Sequence, residues 1–111
     1  MKVLKKLIYF SKIRVKQAEE VAAHIQQCPY PVIVCGDFNE LPLSYPYRII
    51  SKGLKDAFLE RGKGWGFTYC GKIPGLRLDY VLVSPEIEVI DFKIPKRKLS
   101  DHYPVIAYLK I

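Results

Sequence analysis

The sequence predicts an α/β fold from three observations. An apolar stripe at helical spacing comes first, a short uninterrupted apolar run follows it, and three further runs of strand character occupy the last third of the chain. Half of the 111 residues are hydrophobic, which supplies one core and excludes a disordered tail. No internal repeat, low-complexity tract or linker divides the chain. We read a basic N-terminal segment over residues 1–12 and one folded unit over residues 13–111.

Each element follows from local chemistry. Ala18, Val21, Ala22 and Ile25 fall at i, i+3, i+4 and i+7, so a helix from Ile13 to Gln27 should bury that stripe and leave Lys16, Glu19, Glu20 and Gln26 in water. His24 rides on it as an ordinary residue. Pro29 and Pro31 stop the helix. Val32-Ile33-Val34-Cys35 then reads as a central strand covered on both faces and ending at Gly36. Ser44 can cap a short helix through Tyr47, Ile49 and Ile50, with Pro46 in its first turn and Gly53 as terminator. Leu54 to Phe58 is ambiguous, and Gly62-Lys63-Gly64-Trp65-Gly66 is a loop on composition. Leu78 to Val83, Glu88 to Phe92 and Pro104 to Leu109 complete the strands.

Charge and cysteine usage narrow the function classes. The formal charge of +7 is concentrated in two places. Lys2, Lys5, Lys6, Lys12, Arg14 and Lys16 precede the first acid at Glu19, and Lys93, Lys96, Arg97 and Lys98 cluster near the C-terminus. Such surplus favours nucleic acid, anionic lipid head groups or phosphorylated small molecules, although a solvated face explains the first cluster equally well. The apolar runs fall far short of the roughly 20 residues that cross a bilayer, so no transmembrane segment is expected. Leu7 to Phe10 is too short for a signal-peptide apolar region, and nothing in the chain directs it for export. Cys28, Cys35 and Cys70 form no CxxC pattern and read as reduced structural thiols, which favours a reducing, cytoplasmic compartment.

Three short motifs carry the chemistry. In Gly36-Asp37-Phe38-Asn39, Asp37 follows a buried strand, where a carboxylate held by a sheet can orient or deprotonate an attacking water. Asn39 offers an amide to a phosphoryl oxygen. A plain turn explains the same residues, since Gly, Asp and Asn are turn formers. In Arg77-Leu78-Asp79-Tyr80, a carboxylate sits among apolar residues and needs a partner, either Arg77 or an imidazole. Ser100-Asp101-His102 supplies that imidazole just before another strand. An aspartate receiving the ring N–H would fix the tautomer of His102 and raise its basicity. Trp65, Phe67 and Tyr69 can stack on a base or pack on their own domain.

Taken together, these motifs resemble the three C-terminal motifs of the endonuclease/exonuclease/phosphatase superfamily, in the same order, and the likeness covers Ile13 to the C-terminus. The resemblance implies one half of a four-layer α/β sandwich, a mixed β-sheet with helices on one face. It implies a metal-dependent phosphoric-ester hydrolase in which Asp37 activates water, Asn39 holds the scissile phosphate, Asp79 orients His102, and His102 contacts the phosphate. Asp101 would ligate the divalent cation, Mg²⁺ or Mn²⁺, directly or through water. Lys96, Arg97, Lys98, Trp65 and Tyr69 are the expected substrate-binding residues.

Departures from the family pattern are equally specific. The principal glutamate metal ligand, normally in the N-terminal half, has no counterpart among Glu19, Glu20 and Glu40. With one sheet face uncovered, the chain is expected to pair with the missing N-terminal half or to self-associate, and to be inactive alone. Two other functions fit the same residues: a non-catalytic module binding nucleic acid or anionic lipid, and a self-associating fragment.

Overall fold

The computed structural model describes the backbone of residues 2–111 and the side chains of residues 14–111. Helix α1 (Lys2–Gln27) is followed by strand β1 (Ile33–Asp37), helix α2 (Tyr45–Ser51), strand β2 (Lys55–Asp56), helix α3 (Ala57–Arg61) and strands β3 (Asp79–Val83), β4 (Glu88–Lys93) and β5 (Ile106–Lys110). The α1 helix begins well before the expected start at Ile13, and the side chains of Lys2, Lys5, Lys6 and Lys12 lie outside the described residues.

The expected single mixed sheet is two antiparallel sheets in the described chain. One has the order β1-β3-β2 and the other pairs β4 with β5. The extra strand comes from the ambiguous segment: Lys55–Asp56 pairs with Val83 and Leu82, and the chain then turns at once into α3. Asp56 makes this change of direction possible because its carboxylate caps α3, accepting from the Phe58 N–H at 3.0 Å. The α2 cap matches its sequence signature, with Ser44 Oγ accepting from Tyr47 N at 3.3 Å and Pro46 in the first turn.

Two apolar clusters meet at β3. Ala18, Tyr47, Ile50, Tyr80 and Leu82 bind α1 and α2 to one face, while Ala57, Val83, Ile87, Val89 and Phe92 bind α3 to β4. The thinnest extent is 20 Å, the depth of about two layers packed ~10 Å apart. The sequence expectation for β1 is corrected here. The strand continues through Gly36 to Asp37 and lies at the sheet edge, with Ile33 44% exposed and Cys35 also exposed. An apolar run that reads as covered on both faces is therefore covered on one, where Val34 packs on the α1–α2 cluster, and open on the face of Ile33 and Cys35 among the described residues.

The buried ion pair of Arg77 and Asp56 joins the clusters. The guanidinium donates twice to the carboxylate, at 2.8 and 3.2 Å, and Tyr47 Oη donates to the same carboxylate at 2.6 Å. Arg77 also lies against the rings of Phe58 (4.8 Å) and Tyr80 (4.7 Å). Burial lowers the proton affinity of Arg77, but the hydrogen bonds and charge of Asp56 outweigh it and the net shift is upward. Burial, then the bond to Asp56, pushes the Tyr47 phenol up to about 12, so it remains a donor.

Removing one partner of such a pair strands the other in the core, at a cost of about 3–5 kcal/mol. Asp56→Ala should therefore lower the unfolding free energy measured in urea by about 3–5 kcal/mol or abolish folding. Leu43→Ala, at a side chain 91% exposed, should stay within about 0.5 kcal/mol of the parent. Equal effects of the two substitutions would remove the pair from its structural role.

Candidate active site

The register of β1 against β3 creates the site. Asp37 is the direct partner of Asp79, so two carboxylates stand opposite each other at the strand ends. Like charges so placed destabilise a sheet unless a cation lies between them. His102 fills that place. Its Nδ1 is 2.7 Å from Asp79 Oδ2 and its Nε2 is 3.5 Å from Asp37 Oδ2. The choice left open by the sequence is thus resolved, since Asp79 faces the imidazole and Arg77 faces Asp56.

Each member is held from behind. Phe38 anchors the first motif by packing on the Tyr80 ring at 4.8 Å, and its N–H donates to the Leu78 carbonyl at 2.9 Å. Asn39 adopts the left-handed region (φ 51°), where its backbone N–H donates to Asp37 Oδ1 at 2.8 Å. Asparagine tolerates this conformation better than most residues. The motif is therefore both the turn and the place where Asp37 is oriented. The Tyr80 hydroxyl lies 2.7 Å from the carbonyls of Glu40 and Arg77 and shares its one proton between them, tying the first motif to the second. Burial raises the pKa of that phenol, which keeps the donor in place.

Thr68 is the positioning residue that local sequence reasoning missed. Fully buried, it accepts from the N–H groups of Leu78 (2.9 Å) and Asp79 (3.2 Å), while its carbonyl accepts from Tyr103 N at 2.7 Å. One residue thus fixes the strand carrying Asp79 and the loop carrying His102. A threonine that follows an aromatic loop residue carries no motif signal, and only the long-range contacts reveal it. Tyr69 then bridges to His102, the rings meeting edge-on at 5.4 Å.

Of the remaining expected residues, only some neighbour this centre. Asp101 is mostly exposed, with one carboxylate oxygen 4.0 Å from His102 Nε2. Lys96, Arg97 and Lys98 are exposed, and Lys96 Nζ lies 4.7 Å over the ring of Tyr103, the neighbour of His102. Trp65 is 83% exposed and stacks on Phe67 rather than on the core.

Asp37, Asp79 and His102 present ligand atoms within 4.8 Å of one another, a group that could hold a divalent metal. Carboxylate oxygens suit a hard cation, but such an ion takes about six ligands. Here Asp79 Oδ2 and His102 Nδ1 already bind each other. The described side chains fit part of a shell, chiefly through Asp37 and the exposed Asp101.

The bond to Asp79 raises the pKa of His102; partial burial opposes it, and the charges of Asp79, Asp37 and Asp101 add to the rise. The native value therefore exceeds the unfolded value near 6.5, so the stabilisation is whole below the unfolded pKa and is lost as pH climbs through the native one. NMR of the imidazole protons in chelator should place His102 above 6.5, and Asp79→Asn should bring it down. Titration at or below the ordinary histidine value would contradict the geometry.

Comparison with known proteins locates this centre in a family. The profile of the Endonuclease/Exonuclease/phosphatase family matches residues 7–102. No curated protein matches the chain. Among solved structures, the chain is similar to a mannosyl-6-phosphatase from Bacteroides thetaiotaomicron, with 25% identity and a TM-score of 0.73 over 90% of this chain and 46% of that one. It is also similar to an endonuclease/exonuclease/phosphatase from Bacteroides vulgatus, with 28% identity and a TM-score of 0.76 over 90% of this chain and 44% of that one. A functionally unknown conserved protein from Enterococcus faecalis, at 21% identity and a TM-score of 0.68, shares the fold. The chain spans less than half the length of these structures. With most of its length matched by the profile, the chain belongs to the endonuclease/exonuclease/phosphatase family.

Proposed function

We propose that this chain is the C-terminal catalytic part of a divalent-metal-dependent phosphoric-ester hydrolase, completed by polypeptide outside it. The observation that carries the reading is the imidazole of His102 set between Asp79 and Asp37 at the ends of paired strands. Asp79 accepts the Nδ1 proton and orients the ring, leaving Nε2–H to donate to a phosphate oxygen as negative charge grows there. Asp37 positions a water and takes its proton as the new P–O bond forms and the ester P–O bond breaks. Asn39, in the same turn, holds a second phosphate oxygen. Mg²⁺ or Mn²⁺, when bound, neutralises charge on the phosphate, with Asp37 and Asp101 offering oxygens to it.

The likeness to a phosphatase and the half-length match support this division. The exposed apolar side chains of β1, β4 and β5, among them Ile33, Ile90, Ile106 and Tyr108, support a covering half or a second copy. A second reading, non-catalytic binding of a polyanion, rests on the exposed Lys96, Arg97 and Lys98.

The test is complementation. The chain alone should bind Mg²⁺ weakly by calorimetry, in the millimolar range or worse, and cleave no p-nitrophenyl phosphate or its bis ester. Mixed or fused with the N-terminal half of a matched family member, it should gain Mg²⁺-dependent hydrolysis. His102→Ala should then lower kcat by about 10²–10⁴. A restored enzyme indifferent to that substitution would reject the site. Polyanion binding that survives Asp37→Ala, with no hydrolysis in any complemented form, would favour the second reading.

A further inference from the structure

Among the described strands, β1 has the edge that nothing guards. Sheet edges are ordinarily kept from pairing with other chains by shortness, by bulges or by charge. Here β2 is two residues long and β5 carries Lys110. The register of β4 shifts between Val89 and Asp91, Arg61 Nε–H donates to the Val89 carbonyl at 3.1 Å, and the Phe92 N–H donates to the Asp91 carboxylate at 2.8 Å. β1 has none of these devices. It pairs with β3 without a register shift, and Ile33 to Gly36 include neither a charge nor a proline.

The hydrogen bonds at its two ends show which backbone groups are free. The Ser84 N–H donates to the Val32 carbonyl and the Phe38 N–H to the Leu78 carbonyl, both at 2.9 Å, so Val34 and Gly36, at the same phase, also bond toward β3. Ile33, Cys35 and Asp37 therefore direct their N–H and C=O groups away from the sheet. Beside them runs a groove of about 690 Å³, with Gln17, Val21 and His24 of α1 on one wall and Ile33 and Val34 on the other. It leaves room along the strand for another.

We propose that this edge is a self-pairing surface: a second copy of the chain adds its own β1 antiparallel across a two-fold axis at Val34, setting Ile33 of one protomer opposite Cys35 of its partner. Charge favours this place for a like-charged copy. Residues 17–47 contain no lysine or arginine, so two chains of formal charge +7 meet here with the least repulsion. The residues also set the register. Ile33 and Cys35 are both exposed and both bond outward, so pairing them exchanges both backbone hydrogen bonds and keeps apolar side chains together. The ladder stops where Asp37 meets Pro31 of the partner, because proline has no N–H to donate. Asp37 thus stays with His102, and the two Asp–His–Asp centres stand at opposite ends of one sheet made from two three-stranded halves. This pairing goes beyond the hydrolase reading and does not rest on it.

Light scattering of the whole chain at about 100 µM should return a dimer, twice the 12.8 kDa of one chain. Raising salt from about 50 to 500 mM should tighten it about threefold by screening the like net charges. Ile33→Lys/Cys35→Lys should weaken it at least about tenfold with an unchanged circular dichroism spectrum, whereas Ile90→Lys on β4 should not. In the unsubstituted chain, the Ile33 and Cys35 amides should be protected from hydrogen exchange at high concentration and released on dilution. Mild oxidation should link Val34→Cys/Cys35→Ser through position 34, where facing Cα atoms come within disulfide reach, but should not link the parent through Cys35. A monomer, a larger assembly, a dimer indifferent to Ile33→Lys/Cys35→Lys, or one weakened by salt would each overturn the proposal. A Cys35–Cys35 link in the parent would overturn the assigned register. Because no step requires hydrolysis, failure here is separate from failure of the catalytic reading.

Discussion

The buried Arg77–Asp56 pair is the constraint on which the rest of the structure depends. Paired charges in a core are tolerated only when their remaining hydrogen-bonding capacity is satisfied, and here Tyr47 and the Phe58 N–H complete the carboxylate while aromatic rings cover the guanidinium. Asp56 ends β2 and caps α3, so the pair fixes a helix start and a strand end together. Arg77 is two residues before Asp79, and its carbonyl shares the Tyr80 proton with Glu40. Locking Arg77 therefore sets where β3 enters the sheet and which way Asp79 projects. The geometry of the Asp–His–Asp centre is a downstream consequence of a structural ion pair.

Much of this was legible in the sequence because the relevant signals are local. Strand ends followed by acids, a serine cap before Tyr45-Pro46 and the three ordered motifs are patterns within a few residues. Asp79 in an apolar run demands a partner on energetic grounds alone, and His102 meets that demand at 2.7 Å. What stayed hidden is long-range. Asp56 lay in an ambiguous segment and pairs 21 residues away, and Thr68 acts on backbone groups 10 and 11 residues distant. Neither residue type at those positions announces a role. The β1 strand misled for a different reason: its composition reflects burial, whereas the described chain leaves its edge open.

That mismatch has energetic content. Exposed apolar surface forgoes about 25 cal/mol for each Å² that could be covered, and the exposed Ile33, Ile90, Ile106 and Tyr108 all lie on strands. A unit about two layers deep covers one face of its sheets with helices and leaves strand residues of this kind exposed among the described residues. The edge strand with one open face is also the strand that ends at Asp37, so on the proposed reading whatever covers that face would also bear on the site.

Electrostatics gives the same surface a direction. With His102 protonated, Asp37, Asp79 and Asp101 leave a net charge of −2 around one imidazolium, a centre that attracts a divalent cation. A few residues earlier in the chain, Lys93, Lys96, Arg97 and Lys98 repel such an ion and attract phosphate. On the proposed hydrolase reading neither sign alone would suffice: a purely acidic site would repel an ester, and a purely basic one would repel a metal ion. Tyr103, bonded to Thr68 and covered by Lys96, stands where the two signs adjoin, so on the proposed hydrolase reading cation and anion would meet at His102 from opposite sides of the charge boundary.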